Sequence, residues 1–151
     1  MINQGVRKMT INMDLNYEEA ESLIAKMWES FEKGDLDQFS QTMSQENDMV
    51  SFGTDASERW DGWKNLEESV RLQFQSFKVI SVKRKNKTLK MSDTNKTAWF
   101  SEIVDWEMAG EDGNDIIEGI RYTGVMEKIA ENWKIVQFHC SVGVEGQVLE
   151  Y

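Results

Sequence analysis

The sequence predicts an α+β fold in which three helices in the N-terminal half pack on one face of a curved antiparallel sheet. Three observations carry this. Apolar residues recur every three to four positions up to Phe77, then every two positions from Val79 onward. The two periods occupy separate halves, which argues for helices packed on an antiparallel sheet rather than alternating βαβ units. Trp133 to Val142 bears large apolar groups on both alternating sets, as a central strand covered on both sides does.

Residues 1–14 show no clear period and read as a flexible tail, with Met9 or Met13 as alternative starts. The first helix follows from Tyr17, with Asn16 as its N-cap and Ala20, Leu23, Ile24, Met27, Trp28 and Phe31 as its inner stripe. Glu18 and Glu19 suit the positive end of its dipole. Gly34 stops it, and Asp35 caps a short second helix with Leu36, Phe39 and Met43 inward. Met49 to Phe52 is a short strand, and Ser57 to Gly62 a loop. The third helix covers Trp63 to Phe77. Long strands then follow at Lys78 to Met91, Thr97 to Met108, Ile116 to Ile129 and Trp133 to Val142. The chain has no proline, so its turns rest on Gly, Asn and Asp.

At 151 residues the chain is long enough for one domain, here 15–151, that buries roughly 70% of its unfolded surface. Its 27 acidic and 17 basic residues give a formal charge of −10. That balance opposes nucleic acid or an anionic membrane as a partner, since both require a basic face. One cysteine excludes an internal disulfide, and one histidine leaves no cluster for a metal. With no continuous apolar run near the start, the expectation is a soluble cytoplasmic protein. Nothing resembles a glycine-rich phosphate loop, a nucleophile elbow or a metal-binding histidine pair, and no cofactor is implied.

Ser57 to Trp63, Gly119 to Val125 and Trp133 to Ser141 carry a family resemblance. With the order of the elements, they resemble the SnoaL-like group of the nuclear-transport-factor-2-like superfamily, over about Tyr17 to Gly143. The ending also resembles the association domain of calcium/calmodulin-dependent kinase II, with its Trp-x-x-Val-x-Phe-His-x-Ser pattern. The resemblance implies a cone-shaped α+β barrel with a pocket on the concave face and, on the convex face, a homodimer contact. Its members run from isomerases, dehydratases and cyclases to binding modules and oligomerising hubs, so the fold alone selects no activity. Pocket arginines of the kinase hub fall on Gly124, Cys140 and the region of Val104, and none is basic here.

The same parity turns Phe100, Glu102, Tyr122, Phe138 and Cys140 into the pocket, with Trp28, Phe52, Trp60, Trp63 and Phe74 contributed by the other elements. The opposite set, Trp99, Ser101, Ile103, Asp105, Arg121, Thr123, Trp133, Ile135 and His139, becomes the dimer interface. A one-residue slip in the Trp99 strand exchanges Glu102 for Asp105 in the pocket. Trp60 and Trp63 read as core or as a lid. Asp105 and Arg121 read as an interface salt bridge or a substrate clamp. His139 reads as hydrogen-bonded structure or a catalyst, and Cys140 as a small buried apolar group. Glu102 is the sharpest candidate, because a carboxylate in an aromatic cavity has a raised pKa and moves protons near neutrality. The expected function is a homodimeric binder of a small apolar or aromatic molecule. The rival is a cofactor-independent isomerase, dehydratase or cyclase using Glu102, or Asp105 with His139.

Overall fold

The computed structural model describes residues 4–146 and 149, with residues 4–14 as backbone only. In order, the elements are α1 (Gln4–Lys33), α2 (Leu36–Thr42), β1 (Val50–Phe52), β2 (Arg59–Asp61), α3 (Trp63–Ser76), β3 (Val79–Met91), β4 (Thr97–Ala109), β5 (Asn114–Ile129) and β6 (Asn132–Ser141). The six strands form one sheet in the order β2-β1-β6-β5-β4-β3. All neighbours run antiparallel except β1 and β6, which meet in parallel with Phe52 opposite His139.

Helix α1 buries Ala20, Ile24, Met27, Trp28 and Phe31 of the stripe expected from the spacing, with Leu23 half-buried at its edge. Its start differs from the sequence reading. Helical backbone extends back to Gln4, because no proline interrupts the hydrogen-bond ladder once the buried turns have nucleated it. Asn16 is therefore within the helix, and its side chain accepts from Lys128 Nζ at 2.8 Å instead of capping. Of the segment read as a tail, Met1 to Asn3 lie outside the described residues. Asp35 does cap α2, accepting from the Gln38 N–H at 2.9 Å. The segment read as a loop after Ser57 contains β2, which pairs with β1 in a hairpin. No helix among the described residues is long and apolar enough to cross a membrane.

Among the sheet's register shifts, two bear on the cavity and the core. Between β4 and β5, Val104 faces Ile120 while Trp106 faces Ile117, so Glu118 and Gly119 oppose Asp105 alone. Gly119 takes φ +72°, and its N–H donates to Asp105 Oδ1 at 2.9 Å. Between β5 and β6, Val125 faces Gln137 while Met126 faces Ile135, which leaves Val136 as the extra residue. An extra residue reverses the face of everything beyond it. Trp133 and Ile135, assigned to the convex face from strict alternation, are consequently core residues at 5% and 0% exposure.

Candidate functional site

A cavity of about 690 Å³ lies between the helices and the concave side of the sheet. Trp28, Phe31 and Phe39 from α1 and α2 wall one side. Trp106, Ile120, Tyr122, Phe138 and Cys140 wall the other, and Trp60 closes in from β2. The aromatic rings are interlocked: Trp28 meets Tyr122 at 4.7 Å and Trp106 at 5.8 Å between ring centroids, both edge-on. Exposed Thr54, Asp55, Asp115, Ile117 and Val142 and half-buried Glu58 mark the mouth.

The innermost part of the sheet's concave side is filled. Gly124 allows the Phe100 ring to lie against β5; a Cβ there would stand 2.6 Å from Phe100 Cζ. Beside it, Glu102 is almost completely buried and has both oxygens occupied. Trp28 Nε1 donates to Oε1 at 2.5 Å, and Arg84 Nε donates to Oε2 at 2.8 Å. Arg84 also pairs with Glu21 at 3.0 Å, which Lys87 meets at 3.0 Å. Burial raises the Glu102 pKa, and the Trp28 and Arg84 contacts oppose that rise without cancelling it. For Glu21, burial pushes upward, but the Lys87 and Arg84 hydrogen bonds and charges together bring it below its ordinary value.

Two residues that line the cavity carry a buried polar atom with no protein partner: the Tyr122 hydroxyl and the Trp106 indole N–H. Burial drives the Tyr122 pKa well above its ordinary value and keeps the phenol protonated, hence a donor. Cys140 is likewise pushed far up by burial, so it stays a thiol and acts as a small apolar wall group. An unpaired buried donor is costly in an apolar interior, so each of the two is a candidate to meet a polar atom of a ligand.

The family model for the SnoaL-like domain matches residues 20–145. The chain belongs to the SnoaL-like family. Solved structures agree at the level of the fold. A nuclear-transport-factor-2-like superfamily protein of Salmonella enterica aligns with a TM-score of 0.76 at 16% identity, covering 92% of this chain and 99% of that one. A calcium/calmodulin-dependent kinase II association-domain-like protein of Xanthomonas campestris gives 0.72 at 19%, covering 85% and 88%. A scytalone-dehydratase-like protein of Novosphingobium aromaticivorans gives 0.74 at 11%, covering 93% of each chain. No curated protein matches the sequence.

Within this SnoaL-like domain, Trp28, Trp60, Tyr122, Phe138 and Cys140 line the cavity. The other five residues expected there do not. Phe52 faces outward against His139 at 5.4 Å, because β1 runs parallel to β6 and shares its face at that position. Trp63 stacks on Phe39 at 6.1 Å, and Phe74 packs edge-on against Phe31 at 5.1 Å, both in the helical layer. Phe100 and Glu102 take the expected face of β4 but sit beside the cavity, not on its wall. Asp105 bonds Lys85 at 2.5 Å and the Gly119 N–H, so it forms no pair with Arg121 and does not enter the cavity. Exposed His139 shares the outer surface with Trp99 and Thr123. Sequence reasoning missed Trp106, although the extra residue of the bulge lies on β5 and unbroken alternation along β4 gives Trp106 the face of Phe100 and Glu102.

Proposed function

We propose that this SnoaL-like domain is a homodimeric binding protein for a small, flat, largely apolar molecule bearing a hydrogen-bond acceptor. The observation that carries it is a 690 Å³ aromatic cavity with two lining residues, Tyr122 and Trp106, whose buried donors have no partner. That volume lies within the range of small-molecule sites, which are mostly apolar with a few convergent polar groups. Stacking and burial supply affinity, and the two donors orient a carbonyl or similar oxygen. The exposed Trp99 ring and its neighbours on the outer sheet face support self-association.

The test uses 2-acetonaphthone, followed by quenching of the cavity tryptophans. It is expected to bind, and Tyr122→Phe is expected to weaken it by about 3- to 10-fold. 2-Ethylnaphthalene, of similar shape without the oxygen, should not respond to that substitution. Equal responses of the two compounds would refute the donor role.

A second reading, an isomerase, dehydratase or cyclase without cofactor, draws on the likeness to the scytalone-dehydratase-like protein and on a Tyr122 phenol free to donate a proton. Against Glu102 as its base stand the two hydrogen bonds that occupy its oxygens. Against Asp105 and His139 stands their place on the outer face.

A further inference from the structure

We infer that the cavity mouth selects by charge, favouring planar ligands whose outer end is cationic, such as a protonated amine, and rejecting those ending in a carboxylate. The inference rests on the binding reading above. Among the described residues that line the cavity, every formal charge is negative: Asp55 and Glu58 from the β1–β2 hairpin and Asp115 from the start of β5. The hairpin's one cation, Arg59, is turned away. Its guanidinium lies over the Phe52 ring at 6.0 Å and bonds Asp61 at 2.8 Å on the outer face. The acidic hairpin is held in shape, since Glu58 Oε2 accepts the Asp55 N–H at 3.0 Å.

Asp115 stands opposite Met108, another wall residue, at the far edge of the mouth. Carboxylates alone would indicate only a solvated rim. Here they border a cavity whose interior independently calls for a ligand, through the 1%-exposed Tyr122 with its unpartnered hydroxyl. The two ends therefore ask for opposite chemistry, an acceptor inside and a cation outside. Half-buried Trp60, next to the carboxylates on the wall, adds a ring face on which a cation can rest. The protein's net charge of −10 extends the same preference to approach from solution.

The experiment compares 2-acetonaphthone with its 6-aminomethyl, 6-hydroxymethyl and 6-carboxylate derivatives near neutral pH and low salt. The ammonium compound should bind about 3- to 10-fold tighter than the hydroxymethyl one, and the carboxylate weaker by a similar factor. In the triple variant Asp55→Asn, Glu58→Gln, Asp115→Asn the series should converge to within about 2-fold. Glu58→Gln keeps an oxygen for the Asp55 N–H. If the variant fails to fold, the wild-type protein in about 0.5 M salt provides the same test, because screening compresses the series. Binding of unsubstituted 2-acetonaphthone with no charge order, or an order that survives both treatments, overturns the charge selection alone. Binding by none of the four compounds overturns the cavity reading and this inference with it.

Discussion

Glu102 joins the helical layer to the sheet through single atoms: one oxygen holds Trp28 of α1, the other Arg84 of β3. The contact matters for the cavity because Trp28 is one of its walls. Glu102→Gln preserves the volume but offers one acceptor and an NH2 group to two donors, so one contact becomes donor against donor. The expected loss is about 1–2 kcal/mol, limited because Arg84 keeps Glu21. Thermal melting measures the loss, and a shifted tryptophan emission would report the freed Trp28 ring. An unchanged or higher melting temperature would instead indicate a carboxylate retained at a cost to stability, and would reopen the proton-transfer reading.

At the scale of the element, the β4–β5 bulge depends on two residues acting together. The Lys85 hydrogen bond first, and the Gly119 N–H second, hold the Asp105 carboxyl below its ordinary value. A depressed folded-state pKa contributes stability that is present above the ordinary aspartate range and disappears as pH falls through the depressed value. Wild type should therefore be more stable than Asp105→Asn near neutral pH, and the two melting temperatures should converge as the solution is acidified. A gap that widens toward acid would contradict the assignment. Gly119 has open space around its missing side chain, so Gly119→Ala tests the backbone alone. With φ at +72°, the substitution should cost about 1–2 kcal/mol by denaturant unfolding. At Gly124 the obstacle is steric: the added methyl of Gly124→Ala would press on both the Phe100 ring and the Gln137 carbonyl 2.7 Å away. It is expected to cost about 1–3 kcal/mol.

For the whole molecule, the outer sheet face is the place where a second copy is expected. Trp99 is 47% exposed, and Phe52, Ile103, Thr123 and His139 share that face. Trp133 and Ile135 contribute nothing to it, so the apolar patch is smaller than strict alternation implies. Sedimentation at micromolar concentration should give a dimer for the wild type and a monomer for Trp99→Glu, with the fold intact by circular dichroism. A wild-type monomer would remove dimerisation from the proposed function.

Local periodicity was enough for the fold class, the inner faces of the helices and most strand limits, because burial imposes a period of 3.6 or 2 directly on the sequence. Alternation also grouped Phe100 with Glu102, and Phe138 with Cys140, on one face, since no bulge intervenes along those stretches, and the family resemblance put that face and Tyr122 on the concave side. Tertiary structure decided the rest. The β5–β6 bulge moved Trp133 and Ile135 into the core, and a bulge at Gly119 could not be located from alternation alone. The parallel pairing of β1 with β6 sent Phe52 outward, a contact between segments far apart in sequence that leaves no local signal. Whether Glu102 faced open space or a partner depended on Arg84 and Trp28, reached from separate elements. The free donors Tyr122 and Trp106 became visible only once every neighbour able to accept from them had been placed, because hydrogen-bond satisfaction is a property of the packed interior.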